Sequence, residues 1–261
     1  DMENLALFQE LRHAIIQGEL ILTYQPKINI RTSKVVGLEA LVRWQHPTKG
    51  SISPQDFVPI VERTGLIHQM TEWVINASMH QSYIWQQQKL PINVSINLSA
   101  GNLLNKRLPS ILIQATTHHK ISPQNITLEL TENIIMKNPI ESLETLKQLK
   151  KRNFTISIDD YGTGYSSLAY LKNVPADELK IDKTFISHLV EDTKDEQIVR
   201  SVIELAHSLN MKVVAEGVET KEILERLKQL GCDIAQGYYF SKPMSVEKCT
   251  EWLRESLHFR E

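Results

Sequence analysis

Between Phe154 and Asp182 the chain reads FTISIDDYGTGYSSLAYLKNVPADELKID. A β-type run, Thr155-Ile156-Ser157-Ile158, ends in two adjacent carboxylates, Asp159 and Asp160. A glycine-punctuated turn follows at Gly162-Thr163-Gly164, then a helical patch from Ser166 to Leu171. A second β-type run, Glu178-Leu179-Lys180-Ile181, carries a lysine among apolar neighbours. Taken alone, Asp-Asp-x-Gly is ordinary turn punctuation, because both residue types suit the backbone a turn demands. Two adjacent carboxylates repel, however, and a fold that sets them at a strand end needs counter-charge. The stretch gains meaning because a strand ending in a polar residue recurs along the chain.

Working outward, Ile140 to Arg152 reads as a helix and Ile126 to Leu130 as a strand; before them come the helix Leu108 to His119 and the strand Asn93 to Leu98. Downstream, Glu196 to Asn210 is a helix, Lys212 to Ala215 a strand and Lys221 to Leu230 a helix. Ile234 to Gln236 is a last short strand before a terminal helix, Val246 to Leu257. At the other end, Asn4 to Gln17 has Leu5, Phe8, Leu11 and Ile15 on one helical stripe, closed by Gly18. The strands Leu20 to Lys27 and Val35 to Arg43 lie too close for a crossover helix and should pair antiparallel. Ser53-Pro54-Gln55-Asp56 marks a helix start; that helix gives way at Thr64-Gly65 to a longer one over Ile67 to Gln88. Eight strands alternating with helices argue a parallel sheet with helices outside it, and at this length a closed barrel. The expected fold is α/β, a modified (β/α)8 TIM-like barrel with the first strand antiparallel. Residues 1–261 form one domain, with residues 1–18 an N-terminal helix leading into the barrel.

The 261 residues carry a net charge of −2, so no basic footprint for duplex nucleic acid is present. Apolar content of 41% is enough for a sizeable core. Cys232 and Cys249 have no partner at metal spacing, which fits a reducing, cytoplasmic compartment. No apolar run is long enough to span a membrane and no signal peptide is evident; no membrane contact is expected of this domain. A chain opening at Asp1 reads as a piece of a longer, multidomain protein, either sensor-linked or membrane-anchored.

Active sites of such barrels lie at the C-terminal strand ends. There the chain offers Glu39 and Arg43, then Asn97, Glu129, Asp159 with Asp160, Lys180, Glu216 and Gln236. Each alone has a bland explanation: a solvent-facing acid, a helix cap, a surface lysine. Solvated residues should scatter over both ends of the strands, and these do not. Five carboxylates (Glu39, Glu129, Asp159, Asp160, Glu216) meet one lysine. Like charges ~5 Å apart repel by roughly 3 kcal/mol per pair at an effective dielectric of about 20. Such a cluster protonates or binds cations, and all-oxygen donors select hard ions, Mg2+ or Mn2+. Two such ions would balance the remaining four charges, with Asp159 able to bridge, an arrangement suited to phosphodiester hydrolysis. None of the nine histidines falls on a strand end, which counts against histidine acid–base or triad chemistry.

These residues fall within an ordered set of motifs. The set comprises Tyr24-Gln25-Pro26, Gly37 to Trp44 with Glu39-Ala40-Leu41 at its centre, Ser95-Ile96-Asn97-Leu98-Ser99, and Leu128-Glu129-Leu130-Thr131-Glu132. It continues with Asp159 to Leu168, Leu179-Lys180-Ile181-Asp182, Ala215-Glu216-Gly217-Val218-Glu219 and Gln236 to Phe240. The chain resembles the EAL-domain cyclic di-GMP phosphodiesterases of bacteria from about Leu20 to near its C-terminus. The resemblance implies hydrolysis of cyclic di-GMP to linear pGpG with Mg2+ or Mn2+, two ions per site, by a homodimer. It places one metal on Glu39, Asn97, Glu129 and Asp159, with Asp159 bridging to a second that Asp160 helps hold. It gives the catalytic water to Lys180 and Glu216, substrate contacts to Gln25, Arg43 and Gln236, and to Glu132 the anchoring of the loop from Asp160 to Ser167. Tyr161 stands where the family usually has Phe; the added hydroxyl should be tolerated if it reaches water. The competing readings are a catalytically silent cyclic di-GMP receptor or protein-interaction module, and a barrel lyase or aldolase using Lys180 as a Schiff-base nucleophile.

Overall fold

A computed structural model describes residues 2–162 and 171–256. Its strands are β1 (Leu20–Asn29), β2 (Val35–His46), β3 (Gly50–Ile52), β4 (Asn93–Asn97), β5 (Ile126–Thr131), β6 (Thr155–Tyr161), β7 (Glu178–Ile181), β8 (Lys212–Ala215) and β9 (Ile234–Ala235). All but β3 close into a barrel ordered β1-β2-β4-β5-β6-β7-β8-β9, with β9 returning to β1. Neighbours in this circuit are parallel except at β1, which is antiparallel to both β2 and β9. The cause is local. Asn29 Oδ1 accepts from the amides of Arg31 and Thr32, so the chain reverses in a tight turn rather than through a crossover helix. The modified barrel expected from the sequence is therefore the observed fold. The sequence reading missed β3, a short hairpin extension of β2 outside the circuit, held by the His46 imidazole accepting from the amides of Thr48 and Lys49.

The helices are α1 (Met2–Gln17), α2 (Pro54–Thr64), α3 (Ile67–Gln87), α4 (Ala100–Leu104), α5 (Leu108–His119), α6 (Glu132–Lys137), α7 (Pro139–Lys151), α8 (Lys183–Ile186), α9 (Thr193–Ser208), α10 (Lys221–Gln229) and α11 (Val246–Glu255). α2 starts as its sequence dictates: Ser53 Oγ accepts from the Gln55 amide, Pro54 fills the first turn, and Gly65 ends the helix with φ +78°. Three short helices, α4, α6 and α8, were not anticipated. Each begins one to three residues beyond a strand end, too short to show a 3.6-residue period; Ser99 caps α4 in a capping box with Asn102, and Asp182 caps α8. The expected helical patch from Ser166 lies outside the described residues up to Leu171.

Alternation along the strands sorts side chains between two environments. One set points outward into the helical layer: Ile96, Leu128, Leu130, Ile156, Ile158, Leu179, Ile181, Val213 and Ala215, all buried. Tyr24 meets Trp85 edge-to-face at 4.9 Å, and Trp85 Nε1 donates to Thr250 Oγ1 at 2.8 Å, tying β1, α3 and α11 together. The other set fills the barrel, and it is mostly polar: Lys27, Glu39, Ser95, Thr127, Glu129, Ser157 and Lys180 are all buried, beside the apolar Val214 and Ile234. In an ordinary barrel of this kind that space holds stacked aliphatic side chains; here it holds ion pairs.

Candidate active site

The period of two places Glu39 (β2), Asn97 (β4), Glu129 (β5), Asp159 (β6), Lys180 (β7), Glu216 just past β8 and Gln236 just past β9 on the inner face of the mouth. Asp160 should point away from its neighbour on a regular strand. Instead the β6–β7 register shifts between Ile158 and Tyr161, and Asp160 adopts a left-handed φ of +52°. This bulge turns both carboxylates toward the mouth, and the Asp160 amide donates to Asp159 Oδ1 at 2.8 Å. On the opposite side, Gly237 lets the chain after β9 cross against the segment after β8. A Cβ there would lie 2.2 Å from the Val218 carbonyl oxygen, so only glycine permits the approach that sets Gln236 near Glu216.

Lys180 is fully buried at the centre. Its Nζ lies 2.7 Å from Glu129 Oε2, 2.8 Å from Glu216 Oε1, 3.3 Å from Glu39 Oε2 and 3.7 Å from Asp159 Oδ2. Burial disfavours its charge, but Glu129, Glu216, Glu39 and Asp159 outweigh that and hold its pKa well above the ordinary lysine value. A lysine so paired is protonated and is no Schiff-base nucleophile, which removes the lyase reading. Gln236 Nε2 donates to Glu39 Oε2 at 2.6 Å and to Gln25 Oε1 at 3.0 Å, while Asn97 Nδ2 donates to Glu39 Oε1 at 2.9 Å.

The acids divide by surroundings. Burial would raise Glu129, but Lys180 and Lys27 reverse this and drive it far below the usual range. Asp159 is pushed up to about 6, by burial first and then by Glu129, Glu39 and Asp160, against the pull of Lys180. Glu216 is pushed up to about 8, again by burial first, with Lys180 opposing and Asp159 and Glu39 adding. Asp160 is raised by burial and by its neighbour Asp182. For Asp159, Asp160 and Glu216, burial and neighbouring acids disfavour the charged form.

The donors sort into two groups that share one member. Carboxylate oxygens of Glu39, Glu129 and Asp159 lie within 4.8 Å of one another, and so do those of Asp159, Asp160 and Glu216. Every donor is a hard oxygen, and Asp159 belongs to both groups, so the chemistry of the set fits a pair of hard divalent cations. The groups open into a cleft of about 400 Å3 whose walls include Gln25, Glu39, Asp160, Glu216, Gln236 and Tyr238. Arg43 stands apart from this cleft. It shares the inner face of β2 with Glu39 but lines an adjoining, more apolar cavity of about 300 Å3 together with Asn97, and its Nη1 donates to the Val42 carbonyl. Glu132 opens α6, buried, and its Oε2 has no hydrogen-bond partner among the described residues. The loop it is expected to anchor lies mostly outside the described residues, at 163–170. Tyr161 is buried.

The sequence reading missed Lys27. It is 3% exposed, with Nζ 2.5 Å from Glu129 Oε1, 2.7 Å from Ser95 Oγ and 3.8 Å from Glu178 Oε1. The count of one lysine against five acids therefore needs correcting: Lys27 is a second cation, and Glu178 a sixth acid that faces it. Six carboxylates against two ammonium groups still leave four negative charges, so the demand for cations is unchanged. A signal was present. Thr23, Gln25 and Lys27 recur every second residue on β1, placing a lysine two positions along the same inward face as Gln25.

An eight-stranded barrel whose mouth gathers carboxylates around a buried lysine, with oxygens close enough together to hold a metal ion, defines a barrel protein with a candidate metal site. The EAL domain family model matches residues 9–243, and the chain belongs to the EAL domain family. It is 42% identical over 247 residues to the bifunctional diguanylate cyclase/cyclic di-GMP phosphodiesterase MucR of Pseudomonas aeruginosa, covering 94% of this chain and 36% of that protein. To the cyclic di-GMP phosphodiesterase NbdA of the same organism it is 36% identical over 255 residues, covering 97% of this chain and 32% of NbdA. The chain thus spans about a third of the length of these relatives. The solved PaMucR phosphodiesterase in complex with c-di-GMP superposes with a TM-score of 0.90 at 42% identity, covering 94% of this chain and 99% of that one.

Proposed function

We propose that this chain hydrolyses cyclic di-GMP to linear pGpG as a metal-dependent phosphodiesterase. The observation that carries the reading is the pair of carboxylate groups sharing Asp159 at the mouth of an EAL-family barrel. Two Mg2+ or Mn2+ ions, when bound, supply a water nucleophile at neutral pH and stabilise charge on the phosphodiester. Glu39, Asn97, Glu129 and Asp159 would hold one ion, and Asp159 with Asp160 would hold the other. Glu216 accepts a proton from the attacking water, and Lys180 orients that water and offsets charge on the phosphate. Gln25, Arg43 and Gln236 contact the substrate, which is consistent with the buried Gln236 Oε1 having no partner among the described residues. A homodimer in the cytoplasm completes the reading; both rest on the family resemblance. No helix among the described residues is long and apolar enough to cross a membrane, and Cys232 and Cys249 are buried free thiols.

The deciding experiment is incubation of the purified chain with cyclic di-GMP and Mg2+ or Mn2+, with pGpG as the readout. Tight binding without pGpG would establish the receptor instead. Thorough chelation should abolish turnover and either ion should restore it. Ca2+ should support it poorly, because its longer, looser coordination misplaces the water; full activity in metal-free protein would defeat the mechanism.

Glu132→Ala tests the anchor. The anchoring role follows from the family resemblance; Glu132 is buried and its Oε2 has no hydrogen-bond partner among the described residues. The variant should keep its circular dichroism spectrum while metal affinity and turnover fall together. Unchanged metal titration and unchanged rate would show that the loop needs no such support.

A further inference from the structure

Away from the mouth, three imidazoles gather where α3 and α5 pack side by side. His80 ends a turn of α3 on its outer side, and His118 with His119 closes α5. The His80 and His119 ring centroids are 5.9 Å apart and those of His118 and His119 are 4.7 Å apart. Asn76, one turn before His80, has its amide fixed by a 2.8 Å hydrogen bond from Nδ2 to the Glu72 carbonyl, which directs Oδ1 at His119 Nε2, 3.1 Å away. With His119 Nε2–H donating to that oxygen, Nδ1 carries the lone pair.

From this arrangement we infer a second metal site, unrelated to the catalytic mouth, in which His80, His118 and His119 bind a borderline transition cation such as Zn2+, Ni2+ or Cu2+. The rings are neighbours, with centroids 4.7 and 5.9 Å apart, but their donor nitrogens are not yet grouped within 4.8 Å as the mouth oxygens are, so binding draws the three rings together. The Asn76 contact is the outer hydrogen bond that metal-binding imidazoles ordinarily have, fixing tautomer and ring plane. Nitrogen donors select these cations over Mg2+ or Mn2+, the reverse of the all-oxygen preference at the mouth. Burial, together with the neighbouring His118 and His80, lowers the His119 pKa and so favours the neutral, ligating ring. His80 and His118 are exposed, so closing the site asks only for side-chain rotation, and an ion there would staple α3 to α5 across β4.

The test uses the tag-free chain, stripped of metal and loaded with one equivalent of Cu2+. Electron paramagnetic resonance should show hyperfine splitting from at least two nitrogens, which the all-oxygen mouth cannot produce. The double variant His80→Gln/His119→Gln, both at the protein surface, should lose that splitting while matching the parent in circular dichroism and in metal-free thermal midpoint. Zn2+ should raise the midpoint of the parent by several degrees more than that of the variant, which keeps the mouth but lacks the imidazoles. An oxygen-only copper spectrum in the parent, or nitrogen splitting that survives in the double variant, overturns the site.

Discussion

A Glu216→Gln protein should bind cyclic di-GMP as the parent does and turn it over on the order of a hundredfold or more slowly, the range general-base assistance typically supplies. The substitution keeps the shape of the side chain and removes only its basicity. In the metal-free pocket Glu216 sits 2.8 Å from Lys180, and its pKa is pushed up to about 8, chiefly by burial, so there it is mostly protonated; cations bound beside it would favour the carboxylate form that a base requires. Lys180→Ala should lose a comparable factor. Because both residues act on one water, the double variant should lose less than the product of the two single losses. The measurement is kcat for the four proteins beside the cyclic di-GMP dissociation constant of each. Parent-rate turnover by Glu216→Gln would remove this residue from the mechanism.

Lys27→Met should destabilise the fold by about 3–5 kcal/mol, the usual cost of removing one partner of a buried ion pair and leaving the other charge stranded. Glu129 is fully buried and divides its two oxygens between Lys27 and Lys180. Methionine fills the same volume but leaves Glu129 Oε1 and Ser95 Oγ without their donor. For a chain of this size the midpoint of thermal unfolding should fall by roughly 6–20 °C. Adding Glu129→Gln to Lys27→Met should cost less than the sum of the two changes, because the stranded charge is then gone. Denaturant unfolding of all four proteins in metal-free buffer gives the cycle. A Lys27→Met protein within about 1 kcal/mol of the parent would mean that the barrel interior relaxes or admits water more freely than its packing suggests.

Much of this was legible in the sequence. Strand and helix periods, a gap between β1 and β2 too short for a crossover helix, and the recurrence of polar residues at strand ends pointed to an eight-stranded barrel with one reversed strand, because those signals are local and repeat. The same period of two placed Glu39, Asn97, Glu129, Asp159, Lys180, Glu216 and Gln236 at one mouth, since a parallel barrel sends equivalent strand positions to one end. The nature of the donors, all oxygen, followed from composition alone. Three features waited for the tertiary structure. Asp160 reaches the mouth only through a bulge and a left-handed φ of +52°, and a regular strand would have turned it outward. Lys27 becomes a counter-ion only because barrel closure brings β1 close enough for it to reach Glu129 across the interior, a contact between residues 102 positions apart. The division of nearly identical carboxylates, Glu129 driven down while Asp159 and Glu216 are pushed up, depends on which of them two buried lysines reach. Sequence sets the direction each side chain points along its own strand; distances between charges on different strands exist only after the sheet has closed.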